Sequence, residues 1–120
     1  IGSRYIKGSK IENWPPQRKI FSRLANTFAR LVLNVPISDY TNGYRIYSQK
    51  AAIFLLDQVL ISKGYILLSE TAFKLKNSKF SFGEIPIVFV NRKRGHSNTN
   101  FAEIKNAFLG IIQIRMQSGK

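Results

Sequence analysis

The chain has 120 residues, so it supplies one domain or part of one. Apolar residues are 44% of it, which excludes a disordered chain, and the lack of cysteine excludes disulfides and thiolate metal sites. Nineteen Lys and Arg against six Asp and Glu leave a formal net charge of +13, which implies an anionic partner: nucleic acid, an anionic membrane surface or a phosphorylated substrate.

In chain order, residues 1–6 (IGSRYI) read as a short strand with Arg4 near its end, followed by a polar loop over 7–10. Asn13-Trp14-Pro15-Pro16 closes the loop and starts a helix, because asparagine caps well and proline is tolerated in the first turn. That helix is predicted over 15–34. Phe21, Leu24, Phe28 and Leu31 recur at helical spacing and form its expected core face. Arg18, Ser22 and Asn26 recur at i, i+4 and i+8 and stack along a second, polar face. Such a stripe is either an ordinary solvated face or an anion grip. In the second case arginine holds a phosphate bidentately while a hydroxyl one turn along donates to it.

Pro36 closes the helix, residues 39–43 (DYTNG) are turn chemistry, and 44–47 alternate into a predicted strand. Asp39 and Arg45 are placed to pair across this turn. Residues 51–60 read as a short apolar core helix. Gly64-Tyr65 opens another helix, over 66–76, with Leu67, Leu68, Ala72 and Leu75 on its apolar side. Glu70 lies among these apolar neighbours, and a partly buried carboxylate needs a cation or donors. Orienting an arginine is its expected job, ahead of acting as a catalytic base.

Residues 84–98 read EIPIVFVNRKRGHSN. The β-branched run over 85–90 has the composition of a strand buried on both faces, with Pro86 marking an edge or a start. It delivers Arg92, Lys93, Arg94 and Gly95 to one end of a sheet, and ligands of open α/β sheets bind outside the carboxyl ends of the strands. Asn100 with Glu103 gives a capping signal for a last helix over 101–116. Its apolar set is Phe101, Ile104, Phe108, Ile111, Ile112 and Ile114, with Lys105 and Arg115 among the polar positions. The amphipathic stretch 100–118 either packs on the domain or lies in a membrane interface.

Taken together, these clusters resemble the polyprenol-phosphate (dolichol-phosphate) mannosyltransferases of the family 2 glycosyltransferases. The resemblance is carried by Gly2-Ser3-Arg4-Tyr5 with Lys7-Gly8-Ser9, then Trp14 with Arg18, Ser22 and Asn26 on one helix. It continues through Asp39-Tyr40-Thr41-Asn42-Gly43-Tyr44-Arg45, then Gly64, Tyr65 and Glu70, and ends on 84–89 and 92–98. Asn42 stands where that family usually has serine, Leu68 where it often has glutamine, and Asn98 where a lysine usually follows Ser97.

The resemblance implies an α/β fold, the C-terminal half of a GT-A-type (Rossmann-like) domain with a mixed sheet and flanking helices. Residues 1–120 would be its acceptor-side part. The nucleotide-binding half, with an Asp-x-Asp motif for Mg2+ or Mn2+, would lie upstream of residue 1, so residues 1–120 alone are expected to be inactive and to hold no metal. The implied reaction transfers a sugar, most often mannose from GDP-mannose, to polyprenyl or dolichyl phosphate at the cytoplasmic face of a membrane. Arg4, Arg18 and Ser22 would hold the acceptor phosphate. Arg92, Arg94 and Ser97 would face the donor diphosphate or the acceptor, while Asp39, Arg45 and Glu70 would be supporting residues. No nucleic acid is an expected partner: the basic residues are spread over separate turns rather than one stripe. A non-catalytic basic module for a membrane surface or nucleic acid is the alternative.

Overall fold

The computed structural model describes residues 1–91 and 101–119. The elements in order are β1 (Gly2–Ser3), β2 (Lys10–Glu12), α1 (Pro16–Leu33), α2 (Gln49–Leu56), α3 (Tyr65–Asn77), β3 (Ile85–Pro86), β4 (Val88–Val90) and α4 (Phe101–Gln117). It is a chain of mixed helix and strand. Where a mixed sheet is expected, the described strands form two parallel pairs, β1 with β3 and β2 with β4.

Both pairs belong to one run of chain. The Ile85 amide donates to the Ile1 carbonyl, Ile87 N to Ser3 O, Lys10 N to Ile87 O and Asn91 N to Glu12 O, at 2.9–3.2 Å. Residues 84–91 therefore pass along β1 and then β2, while residues 4–9 leave the ladder between them. Gly8 turns that excursion at φ 93°, a left-handed value suited to glycine. The strand expected over 1–6 is thus confined to Gly2–Ser3, and a second strand, β2, follows the loop. Gly2 is needed where β1 passes under Tyr44, since a Cβ there would come within 2.7 Å of Tyr44 Cδ1.

The run over 85–90 is not buried on both faces. Ile87 and Phe89 point inward, while Ile85, Val88 and Val90 remain more than half exposed. A two-stranded ribbon has only one covered side here, so composition suggested a second layer that the described residues do not provide.

Helix α1 also turns a different face inward. Asn26, Ala29 and Leu33 are its buried residues, whereas Phe21, Leu24 and Leu31 of the expected core face are 54–77% exposed. Of that set only Phe28 packs, edge-on against Phe108 of α4 with centroids 4.6 Å apart. The expected Asn13 cap is not used. Pro15 is the N-cap residue without a side-chain bond, and Asn13 takes a left-handed conformation at φ 61°. At the other end Asn34 closes the helix in the left-handed region, donating its amide to Arg30 O at 2.9 Å.

After that cap the chain dives inward. Val35, Ile37 and Tyr40 join Ala29 and Leu33 of α1, Ala72 and Phe73 of α3, and Ile111 and Ile114 of α4 in one core. Helix α2 starts on Ser48, whose hydroxyl accepts the Ala51 amide at 3.2 Å, and it stops short of its predicted end. It buries only Ala51, with Ile53 and Leu56 left open, so it is not the core helix expected. Residues 44–47 form no strand: Arg45 turns inward to bond carbonyls, leaving Gly2 N to Tyr44 O as this segment's tie to β1. No helix among the described residues is long and apolar enough to cross a membrane.

Candidate functional site

The site is built where α1, the 4–9 excursion and the loop after α1 meet. Arg4 leaves the end of β1 and forms a two-pronged ion pair with Asp39: Nε to Oδ2 and Nη2 to Oδ1, both at 2.8 Å. Its backbone amide also donates to Oδ2 at 3.0 Å, and Nη2 reaches the Thr41 hydroxyl at 2.8 Å. The pair is nearly dry, with side chains 7% and 0% exposed. Burial by itself would raise the Asp39 pKa, but the hydrogen bonds and charge of Arg4 outweigh it and hold the carboxyl below its usual value. Burial likewise opposes the Arg4 charge, and Asp39 more than restores it.

Trp14 is the platform beside this pair. The Arg18 guanidinium carbon lies 4.4 Å from the indole centroid and that of Arg4 lies 5.3 Å from it. Phe89 of β4 closes the platform edge-on, with centroids 5.3 Å apart. Arg18 Nη1 donates to Asn91 Oδ1 at 3.3 Å, and Asn91 Nδ2 donates to Asn13 O at 3.0 Å, tying the end of β4 to the start of α1. The buried Trp14 indole N–H has no hydrogen-bond partner among the described residues. On the same flank the Tyr5 and Ser22 hydroxyls hydrogen-bond each other.

The third member of the polar stripe is a clamp. Asn26 Nδ2 donates to Ser22 O at 2.8 Å, and its Oδ1 accepts the Tyr40 amide at 2.6 Å. This explains why α1 turns its polar stripe inward: a fully bonded asparagine can be buried next to Ala29 and Leu33. Tyr40 completes the clamp, donating its hydroxyl to Val35 O at 2.9 Å. Burial pushes the Tyr40 pKa up to about 12.

The supporting residues find partners other than those expected. Arg45 does not pair with Asp39, whose oxygens Arg4 occupies; it donates instead to Leu68 O, Tyr40 O and Asn42 O. Glu70 pairs with no arginine among the described residues. It is 2% exposed and accepts the backbone amides of Ile61 and Ser62, the latter at 2.8 Å. Those amides lie just beyond the end of α2 and would otherwise go unpaired. Glu84, not singled out from the sequence, accepts the amides of Ser38 and Asp39 and so presents Asp39 to Arg4. In a chain with six acids, the scarcity of carboxylates was the available signal. Asn42 fills its turn by donating to Gly2 O at 2.6 Å.

Arg4, Arg18 and Ser22 are therefore brought to one flank of α1, around Trp14 and Tyr5. Arg92, Arg94 and Ser97 lie outside the described residues. Among the described residues no cluster of three acids or histidines suits a metal ion. They offer no ligand set for Mg2+ or Mn2+. An open cleft of about 440 Å3 runs along α1 next to this cluster, lined by Arg4, Tyr5 and Asn26 together with Arg23, Thr27 and Arg30. Arg23, Thr27 and Arg30 recur at helical spacing, a pattern visible in the sequence but not recognised there.

Over 113 residues the chain is 35% identical to a polyprenol monophosphomannose synthase of Mycolicibacterium smegmatis, covering 94% of this chain. It is 31% identical, over the same share of its length, to an undecaprenyl-phosphate mannosyltransferase of Micrococcus luteus. The chain is a relative of the polyprenol-phosphate mannosyltransferases. It spans 43% of the first of these two mannosyltransferases and 46% of the second, less than half of either. No family model and no solved structure matches it.

Proposed function

We propose that these residues are the acceptor-side part of a GT-A-type domain whose complete protein transfers mannose from GDP-mannose to polyprenyl phosphate. Similarity to two mannosyltransferases supports the reaction class. The observation that carries the site is the donor-rich cluster at Trp14: two guanidinia over one indole, an unsatisfied indole N–H, and the Tyr5–Ser22 hydroxyl pair.

Its chemistry suits an oxyanion. A phosphate monoester has its second pKa near 6, so the acceptor oxygen already carries charge at neutral pH and needs no strong general base. That oxygen attacks the anomeric carbon, the bond to the nucleoside diphosphate breaks, and the leaving diphosphate takes the electron pair. The protein's work is to bring two anions together and to neutralise charge as it develops. Arg18 is the mobile hand, with a single long hydrogen bond to Asn91 that an acceptor phosphate replaces. Arg4 is held by Asp39 and Thr41 and contributes a fixed positive charge, with Nη1 free of hydrogen bonds among the described residues. Ser22 exchanges Tyr5 for the phosphate. Arg92, Arg94 and Ser97, outside the described residues, meet the donor diphosphate or the acceptor phosphate, and any divalent cation is bound by residues outside those described. The basic surface then works at the cytoplasmic face of a membrane, where anionic lipid attracts it.

The test is transfer of radiolabelled mannose from GDP-mannose to polyprenyl phosphate by the complete protein in detergent, comparing wild type with Arg18→Ala. Loss of about 100-fold or more in turnover is expected from removal of a charged donor at the reacting phosphate. Undiminished transfer in the variant would remove Arg18 from the site. Transfer only with another nucleotide sugar would replace the donor, and none with any donor would refute the reaction.

A further inference from the structure

The cleft along α1 adjoins the Trp14 cluster, but Arg23, Thr27 and Arg30 in its wall take no part in the proposed reaction. Arg23 and Arg30 share almost one azimuth on the helix, about 20° apart, with Thr27 between them, whereas Arg18 lies roughly 140° around it. The cleft therefore opens beside the Trp14 cluster, with Arg4 and Tyr5 common to both and with Arg23 and Arg30 on the neighbouring face of α1. Ser9, Ser38 and Arg4 also line it. No acid lines the cleft. Three of the six acids are turned to internal work: Asp39 on Arg4, Glu84 on the Ser38 and Asp39 amides, and Glu70 on the Ile61 and Ser62 amides. Neither Arg23 nor Arg30 makes a salt bridge among the described residues.

A row of large apolar side chains runs beside this basic ridge. Ile20, Leu24 and Leu31 stand about 60–100° around the helix from Arg23 and are 58%, 56% and 77% exposed. Guanidinia that bind phosphoryl oxygens, flanked by open aliphatic side chains, match a ligand with a phosphoryl head and a hydrocarbon body. A soluble phosphate ester would use the arginines and leave the ridge idle. A nucleic acid would prefer aromatic stacking platforms, and this ridge is aliphatic.

We propose that the cleft bounded by Arg23, Thr27 and Arg30 is a second phosphoryl-binding site, which takes the headgroup of an anionic membrane lipid while Ile20, Leu24 and Leu31 meet its acyl region. The site orients α1 on the bilayer and does not depend on the transfer reaction, so it survives if Arg18 proves dispensable.

The experiment is sedimentation of the complete protein with phosphatidylcholine vesicles that contain or lack phosphatidylglycerol. Wild type is compared with Arg23→Gln/Arg30→Gln, with Arg23→Lys/Arg30→Lys, and with Lys50→Gln/Lys63→Gln, which removes the same charge from exposed positions on and beyond α2. Circular dichroism confirms that each variant folds. The glutamine pair at the cleft is expected to weaken partitioning onto anionic vesicles about ten- to thirty-fold, from a contribution of about 1 kcal/mol per basic residue near an anionic surface. The lysine pair at the cleft is expected to fall between it and wild type, because it keeps the charge and loses the bidentate grip. The Lys50 and Lys63 variant is expected to lose less than three-fold. Equal losses in the two glutamine pairs would overturn the proposal, leaving only net charge. Glycerol phosphate, added at millimolar concentration, separates the sources. Failure to displace vesicles assigns the site to lipid, whereas displacement through the same arginines assigns it to a soluble phosphate ester and overturns the lipid. Tighter binding of a single-stranded oligonucleotide through Arg23 and Arg30 would also overturn it.

Discussion

Replacing Asp39 by asparagine tests the central electrostatic claim about this fold. Five N–H groups converge on the Asp39 carboxylate: Arg4 N, Nε and Nη2, and the amides of Thr41 and Asn42, at 2.8–3.3 Å. Both oxygens are acceptors only. An asparagine must turn its NH2 toward one of the two donor groups whichever way it is placed, so at least two of these bonds become donor–donor contacts. It also leaves the Arg4 charge buried without its counter-ion. Removing one partner of a buried pair costs about 3–5 kcal/mol, which for a domain of this size corresponds to a fall in Tm on the order of 10–20 °C. Urea unfolding of wild type and variant, followed by far-ultraviolet circular dichroism, measures the difference directly. The pH dependence supplies the sign. Asp39 is held below its unfolded value, so its stabilisation is complete above about pH 4 and fades as pH falls through the lower folded pKa. The variant should lack that acid limb. A loss below about 1 kcal/mol, the size of an exposed pair, or an unchanged acid limb, would refute the reasoning.

Tyr40 should resist ionisation. Its pKa is pushed up to about 12, so stability should fall between about pH 10, where the unfolded residue loses its proton, and about 12, by on the order of 2–3 kcal/mol; Tyr40→Phe should abolish that alkaline limb, which urea titrations across the range would register. Glu70→Gln should cost about 1–3 kcal/mol and speed hydrogen exchange at the Ile61 and Ser62 amides while leaving Arg45 exchange unchanged. Altered exchange at the arginine instead would restore the bracing role expected from the sequence.

Much of this protein was written in local patterns. Helical periodicity located α1, α3 and α4 to within a residue or two, because helical spacing and proline or glycine breaks act within one turn. The basic excess and the ordered series of short polar clusters pointed to a phosphate-handling family, and similarity to two mannosyltransferases agrees. Asp39, Arg4, Arg18 and Ser22 were singled out through the motifs that resemble that family, since their spacing alone left an ordinary solvated face equally open.

Which face of each element is buried, and which charge meets which, was decided only by the tertiary structure. Periodicity marks two faces of α1 but cannot say that a fully bonded Asn26 makes the polar one the inner one. Composition alone could not reveal that the run over 85–90 has one covered side, since burial depends on layers contributed from elsewhere in space. Asp39 selects Arg4 over the nearer-in-sequence Arg45 because parallel pairing of residues 1–3 with 85–87 carries Arg4 to the turn, and Glu84 aims that turn at it. Ion pairs and buried carboxylates are satisfied by distance in space. The sequence therefore named the groups that needed partners, and the fold alone chose the partners.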